Sequence, residues 1–147
     1  MMGELTAAEI DQVLHAEVLG HLGCIADGWP YVVPISYVYE GGSIYSNCSE
    51  GMKLQAMREN PLVCFEVEQI RGMANWRTVI ARGRFEELLH DERERAVDIL
   101  AMRLARIETS ASARLVQQDD VYRKEEFFRP VLFAIRVEAL SGRFELR

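Results

Sequence analysis

The sequence predicts an α+β domain that is mainly β, arranged as a barrel of short antiparallel strands with a few helices. Two dipeptides, Asp27-Gly28 and Gly41-Gly42, each lie between apolar runs, as two-residue hairpin turns require. The segment between them, 29–40, carries large side chains on one face at every second position: Tyr31, Val33, Ile35, Tyr37 and Tyr39. Five to seven such strands with few helices favour a barrel.

Length and composition indicate one soluble domain spanning residues 1–147. The chain has 147 residues, of which 49% are hydrophobic and 27% charged, as in ordinary globular proteins. No apolar run reaches the roughly 20 residues that a membrane helix needs, and the first eight residues show no secretory signal. The net charge of −6 argues against a general nucleic-acid surface. We therefore expect a cytoplasmic protein with neither nucleic-acid nor membrane partners.

The first half of the chain predicts one helix followed by three strands. Thr6 and Glu9 have the spacing of a capping box, so a short helix begins there. Three antiparallel strands follow at 19–26, 29–40 and 43–48. Pro34 lies inside the second strand and has no amide hydrogen, so we expect the pairing there to be interrupted or at an edge.

The second half alternates helices with strands. A helix is predicted over 51–58, because Asn60-Pro61 ends it, and strands over 62–70 and 76–89. Asp91 is a candidate N-cap for the longest helix.

The C-terminal third contains one more predicted strand. The polar, aperiodic segment 109–120 is predicted to be a loop, and 131–137 a buried strand, with a turn at Ser141-Gly142. With this strand, the predicted strands number six.

The segment 44–53 is the one that indicates chemistry. It brings a strand, Ser49, Gly51 and Lys53 to the start of a helix, where free N–H groups attract anions and a glycine lets a phosphate come close. On spacing alone, the alternative is that Ser49 is only an N-cap and Lys53 an exposed first-turn lysine.

Cysteines and histidines give weaker signals. The cysteines lack CxxC spacing, so reduced and mostly buried thiols are expected at Cys24, Cys48 and Cys64. Cys48 adjoins the candidate anion site and would be redox-active only if its pKa were lowered. The histidines lack HxxH or HxxxH spacing, so no metal site is predicted from His15, His21 and His90.

The order of several segments resembles the FMN-binding split barrels of the pyridoxamine 5′-phosphate oxidase-like family. The resemblance runs over about residues 5–90, with Ser141-Gly142-Arg143 fitting the last strand. The segments are Trp-Pro-Tyr-Val-Val-Pro at 29–34, Ile-Tyr-Ser-Asn at 44–47, Gly-Met-Lys at 51–53, Asn-Pro-Leu-Val-Cys-Phe-Glu at 60–66 and Trp-Arg-Thr-Val at 76–79. It implies a six-stranded antiparallel split barrel, a homodimer and two FMN molecules between the subunits.

The same resemblance implies which residues meet the cofactor. The flavin ring would lie against the backbone of a strand, near two residues of the next strand, with the phosphate at a helix start. In that order, the residues are Val32, Val33, Pro34 and Ile35, then Tyr45 and Ser46, then Met52 and Lys53. Asn47 stands near a position where the nitroimidazole-resistance branch often has a histidine. Trp76, Arg77 and Thr78 would reach towards the cofactor; the alternative is an ordinary strand with a core or interface Trp76 and a surface Arg77.

The resemblance implies an FMN-dependent oxidoreductase that passes electrons from NAD(P)H or another donor to a small acceptor. The nearest branch is that of nitroimidazole-resistance and flavin-nucleotide-binding proteins. A vitamin B6 oxidase is not expected, because Met52 replaces one of two basic residues and no substrate-binding C-terminal segment is evident. Asn47 argues against nitroreduction. The alternatives are a non-catalytic flavin or haem sensor, with His21 as the candidate axial ligand, and a barrel that serves only for dimerisation.

Overall fold

A computed structural model describes residues 1–104 and 130–147 of the chain. This part contains eight strands and three helices. In chain order they are β1 (Met2–Glu4), α1 (Ala7–Ala16), β2 (Leu19–Ala26), β3 (Trp29–Ser36), β4 (Val38–Glu40), β5 (Ser43–Cys48), α2 (Met52–Glu59), β6 (Leu62–Gly72), β7 (Asn75–Glu87), α3 (His90–Leu104) and β8 (Val131–Leu146). The predicted loop at 109–120 lies outside the described residues.

The strands form one antiparallel sheet in the order β3-β2-β6-β7-β8-β5-β4, with β1 added beside β8. The two edge strands, β3 and β4, are consecutive in the chain and are joined through Tyr37. The sheet therefore returns on itself through the chain, as in a split barrel. The predicted mainly β, antiparallel α+β fold is confirmed, and six strands are long, whereas β1 and β4 have three residues each.

The prediction of a single strand over 29–40 is wrong, because the strand is interrupted at Tyr37. The Tyr37 N–H donates to the carbonyl of Val18 at 2.9 Å, and its hydroxyl donates to the carbonyl of Leu14 at 2.8 Å. Its ring is fully buried. At Tyr37 the chain thus leaves edge strand β3, and it continues as β4 at the other edge of the sheet.

Local signals in the first half are confirmed in detail. The side chains and backbones of Thr6 and Glu9 form the reciprocal capping box at the start of α1. Asp27 and Gly28 have φ of 55° and 79°, and Gly41 and Gly42 have 59° and 77°, which are the values that type I′ hairpin turns need. Pro34 lies on edge strand β3, opposite His21.

The C-terminal strand is longer than predicted, and the turn at Ser141-Gly142 is wrong. Both residues lie inside β8 and pair with Ile80 and Val79 of β7. Gly142 is required for packing, because a Cβ there would lie 2.8 Å from the Leu5 side chain. A glycine that packing requires within a strand has the same sequence signal as a glycine in a turn.

Two hydrophobic clusters stabilise the described residues. The larger fills the barrel and includes Leu22, Phe65 and Ile135. The smaller joins α3 to the far side of β8 through Val97, Leu100 and Leu132. Asp91 is in the first turn of α3, not its predicted N-cap, because the helix begins at His90. Among the described helices, none is long and apolar enough to cross a membrane.

Candidate functional site

Helix α2 starts without the usual side-chain cap. Its N-cap is Gly51, which has extended backbone angles and makes no side-chain capping hydrogen bond. The first turn of α2 contains no acidic residue. The alternative that Ser49 caps this helix is therefore not what the structure shows. The first backbone N–H groups of α2 remain available to a ligand and give this end a partial positive charge.

Lys53 adds a full positive charge at the same end. Its side chain is half-buried, and none of the described residues forms an ion pair or hydrogen bond with it. Its charge acts on two buried thiols, Cys24 and Cys48. Burial outweighs that influence and raises the pKa of Cys48 to about 11. Cys48 is therefore a neutral, inert thiol near pH 7.

A salt-bridge cluster fixes the orientation of α2. Arg58 contacts Glu50 at 3.0 Å and Glu87 at 2.9 Å, so the helix is tied both to the loop before it and to the end of β7. The hydrogen bonds to these two carboxylates raise the pKa of the Arg58 guanidinium, led by that to Glu87. The uncapped start of α2 is thus presented in a defined direction.

The predicted ring-binding strand, β3, is an edge strand. In the described residues its pairing partner is β2, so every second residue directs backbone groups away from that ladder. Val33 and Ile35 point into the barrel, whereas Val32 and Pro34 are exposed on the other side. We call this other side of β3, β2, β6 and β7 the outer face. A planar ligand along the free edge of β3 would find unpaired backbone groups.

The three predicted residues on β5 have different surroundings. Ser46 is buried, and its hydroxyl donates to the carbonyl of Ser36 at 2.6 Å, which anchors the end of β3. Tyr45 packs against the cluster under α3, and Arg136 Nη1 donates to its hydroxyl at 3.5 Å. Asn47 is half-buried and pairs with Leu132 of β8. In this chain Ser46 and Tyr45 thus have structural contacts.

Lys53 and Trp76, two more of the predicted residues, lie at different positions along the sheet. Lys53 is near Cys24, next to the Gly23–Cys64 pair, whereas Trp76 pairs with Ile70, six residues further along β6. At 3.3 Å per residue, Cys64 and Ile70 are about 20 Å apart along β6. Within one chain, Trp76 thus lies well along the sheet from the strand pair beside Cys24.

Three separate clefts contain predicted residues. Val32 lines an apolar groove of about 550 Å³ on the outer face, together with Ile25, Leu62 and Cys64. Trp76 and Arg77 line a polar cleft of about 560 Å³ that also includes Arg71 and Gln69. Met52 borders a smaller cleft of about 300 Å³ beside the β2–β3 turn. The candidate site is therefore distributed over the surface of a single chain.

Thr78 belongs to a polar cluster that the sequence did not reveal. Its hydroxyl donates to Glu66 Oε2 at 2.7 Å, and His21 Nδ1 is 3.3 Å from Glu66 Oε1. Burial, followed by the charge of Glu66, raises the pKa of the neighbouring Glu68 carboxyl. His21 and Glu66 are 45 residues apart, and only the pairing of β2 with β6 brings them together. No spacing rule could have found them.

Comparison with known proteins identifies relatives of the whole chain. A family model described as "Pyridoxamine 5′-phosphate oxidase" matches residues 6–144. The protein RA0666 of Rhizobium meliloti is 33% identical over 101 residues, 65% of this chain and 67% of that protein. A crystal structure of an FAD-binding protein from Mesorhizobium loti superimposes with a TM-score of 0.74, at 31% identity and with 98% of each chain covered.

Two more distant structures share the fold. One is a putative 5-nitroimidazole antibiotic resistance protein from Bacteroides thetaiotaomicron, with a TM-score of 0.74, 18% identity and coverage of 98% of this chain and 87% of that one. The other is an FAD and haem binding protein from Mycobacterium smegmatis, with a TM-score of 0.69, 17% identity and coverage of 98% and 73%. At these identities the likeness concerns the fold alone.

Proposed function

The chain belongs to the pyridoxamine 5′-phosphate oxidase family, and from this premise we propose that it binds a flavin nucleotide and works as a flavin-dependent oxidoreductase. In this proposal FMN is the cofactor, with its phosphate at the start of α2 and its ring along β3. A flavin supplies two-electron transfer when bound, and the protein positions it. The family does not fix the substrate. Met52, in place of a second basic residue, argues against vitamin B6 as the substrate.

The observation that carries the proposal is the unpaired charge of Lys53 at the uncapped start of α2. The ammonium group has no hydrogen-bond or ion-pair partner among the described residues, so no such contact is lost when it turns towards a ligand. Gly51 leaves the approach to the backbone open, since nothing lies within 4 Å of where a Cβ would be. Free N–H groups, an adjacent cation and an open approach are together the features of a phosphate site.

The free edge of β3 supports the position of the ring. Flavin rings carry both donors and acceptors, which backbone N–H and carbonyl groups can match. Pro34 removes one N–H and therefore fixes which backbone positions can donate. Val32 and Pro34 would offer an apolar surface beside them, since both are exposed.

FAD is the second candidate cofactor, because the Mesorhizobium loti relative is an FAD-binding protein. The two flavins differ at the group that Lys53 would meet. FMN ends in a phosphate monoester with a charge near −2, whereas each phosphate of FAD carries about −1. We expect Lys53 to contribute more to FMN binding than to FAD binding for this electrostatic reason.

Titration of the flavin-free protein with FMN, FAD and riboflavin tests the phosphate site. Lys53→Ala should weaken FMN binding by about ten- to hundredfold, the loss of one charge-assisted contact of about 1.5 to 3 kcal/mol. Riboflavin has no phosphate, so its affinity should not change. Arg84→Ala, which removes an equal charge from the surface pair with Glu138, is the control. Equal FMN affinity in wild type and Lys53→Ala would remove the phosphate site from the proposal.

Absorbance spectra test the reaction. The flavin-loaded protein should bleach when NAD(P)H is added without air and recover its colour with an acceptor. A yellow protein that NAD(P)H does not bleach would favour a different donor or a carrier. A haem spectrum would favour the alternative of a haem-binding sensor. His21 is the candidate axial ligand of the haem, and one of its two ring nitrogens, Nδ1, already contacts Glu66.

We also propose that two copies pair through the outer face. Strands β2 and β6 separate β7 from β3, so in this proposal Trp76 and Thr78 reach a flavin at β3 from a second copy, whereas Arg77 points to the other side of β7, towards Glu9. The outer face exposes Val32 at 64%, Leu62 at 52% and Ile80 at 44%, an apolar surface that a partner would cover. The apolar groove on the outer face gives the second copy a concave surface to pack against.

Sedimentation distinguishes a dimer from a monomer. Wild type should sediment as a dimer, and Val32→Asp should shift it to the monomer, because a carboxylate would be buried at the contact. Met102→Asp places the same charge on exposed α3, away from the outer face, and should remain dimeric. A wild type that is monomeric at working concentration would contradict the shared site.

A further inference from the structure

Three metal-ligating side chains meet on the outer face. His21 of β2 is the direct partner of Glu66 of β6, and Glu68 follows two positions later, on the same side of that strand. One imidazole nitrogen and one oxygen from each carboxylate lie within 4.8 Å of one another. The three groups converge because β-strand alternation and cross-strand pairing place them side by side.

One of these distances matches that between two ligands on one ion. His21 Nδ1 and Glu66 Oε1 are 3.3 Å apart. Two ligands of a tetrahedral zinc ion, each about 2.0 to 2.1 Å from the metal, are separated by roughly 3.3 to 3.4 Å. Glu68 is exposed, and its ligand oxygen lies within 4.8 Å of the ligand atoms of the other two residues.

The charge of the cluster favours a cation. Glu66 and Glu68 supply two carboxylates, and within the described ranges neither forms an ion pair with a lysine or arginine. His21 is their one basic neighbour in the cluster. A neutral imidazole with two carboxylates is a nitrogen–oxygen donor set suited to a borderline divalent ion rather than to Ca²⁺ or Mg²⁺.

Thr78 adds the support that metal carboxylates commonly have. Its hydroxyl donates to Glu66 Oε2, the oxygen that does not face His21, at 2.7 Å. Hydrogen bonds of this kind orient a ligating carboxylate, and their loss typically weakens metal binding by 10- to 100-fold. The two oxygens of Glu66 thus have separate partners, one from β2 and one from β7.

We propose that His21, Glu66 and Glu68 form a site for a divalent transition-metal ion of the zinc class. Three protein ligands leave the fourth position of a tetrahedral ion to water or to a small ligand. This site is distinct from the phosphate site at Lys53 and does not depend on flavin binding. It would add an ion to the face on which Pro34, the partner of His21, lies.

Calorimetric titration of the metal-free protein with Zn²⁺ tests the site, with the flavin removed and again with it bound. Wild type should bind one ion per chain. His21→Ala and Glu68→Gln should each lower the affinity at least tenfold, and Thr78→Val by about tenfold, whereas Thr78→Ser should retain it. His15→Ala is the matched control, because His15 pairs with one carboxylate, Asp11, at the same distance of 3.3 Å.

Thermal unfolding provides an independent measurement. Saturating Zn²⁺ should raise the melting temperature of wild type and of His15→Ala but not of His21→Ala. Unchanged circular dichroism of each variant would show that it is folded. Zn²⁺ affinity that is equal in wild type and His21→Ala, or no saturable binding by wild type, would overturn the proposal.

Discussion

The two faces of strands β2, β6 and β7 differ in burial and in polarity. The inner face carries Leu22, Phe65 and Val79, each fully buried in the barrel. The outer face of the same strands carries His21, Glu66 and Thr78, which are only half-buried and hydrogen-bonded to one another. Adjacent residues thus serve opposite purposes, because successive side chains of a strand point to opposite sides.

Volume is what constrains the inner face. A Cβ on Gly20 would overlap the ring of Phe65, and one on Gly83 would overlap the carbonyl of Arg136. Phe65 also packs edge-on against Tyr37, with ring centroids 4.9 Å apart. The inner face therefore tolerates little change in size. The outer face has clefts and free polar groups, so its chemistry, not its volume, determines what it can do.

Phe65→Ala should cause the largest change in the free energy of unfolding and so tests the difference between the two faces. It empties the centre of the inner face and should cost about 3 to 5 kcal/mol in the free energy of unfolding. Val32→Ala, on the outer face, should change it by less than about 0.5 kcal/mol in the monomer. Urea unfolding measures both. Similar losses in the two variants would show that the faces are not energetically different.

Tyr37→Phe tests the break between β3 and β4. Removing the hydroxyl leaves the buried carbonyl of Leu14 without its donor, which should cost about 1 to 3 kcal/mol. Tyr39, two positions later, is half-buried, and its ring stacks on His15. Its hydroxyl forms no buried hydrogen bond with the described residues. Tyr39→Phe should therefore stay within about 0.5 kcal/mol of wild type. Equal midpoints in urea for both variants would contradict a structural role of the Tyr37 hydroxyl.

Cysteine alkylation sharpens the comparison without changing the sequence. Cys64 is exposed on the outer face, whereas Cys24 and Cys48 are buried. At pH 8 iodoacetamide should modify Cys64 before the other two cysteines, more slowly where a partner copy covers the groove, and mass spectrometry should find Cys24 and Cys48 modified only after unfolding. Rapid modification of Cys48 in the folded protein would be inconsistent with its burial.

Alkaline pH should lower the stability of the folded protein, and the sign of this effect follows from Cys48. Burial raises the pKa of this thiol from its ordinary value of 9.0 to about 11, so the unfolded chain loses the proton first. Its contribution to stability is thus complete below pH 9 and is lost as the pH rises to about 11. Cys48→Ala should reduce the fall in melting temperature over that interval. An identical fall in both proteins would exclude Cys48 as a cause.

Much of the fold was predictable because its signals are local. The capping box at Thr6 and Glu9 and the glycine turns after β2 and β4 depend on neighbouring residues alone, and each was found. Boundaries failed where distant packing decided them. Tyr37 breaks a strand because Leu14 and Val18 bind it, and Gly142 is needed by Leu5 rather than by a turn.

The candidate site divides in the same way. The sequence alone determined the order of strands along the chain and the glycine turns, which rest on short-range pattern, and the family, which rests on the order of several segments. The anion-binding start of α2 stays a prediction. The tertiary structure decided that Ser46 and Tyr45 have structural contacts and that β2 and β6 separate Trp76 from β3. It also decided that His21 meets Glu66. Such contacts depend on which strands pair and in which register, and no local signal encodes that choice.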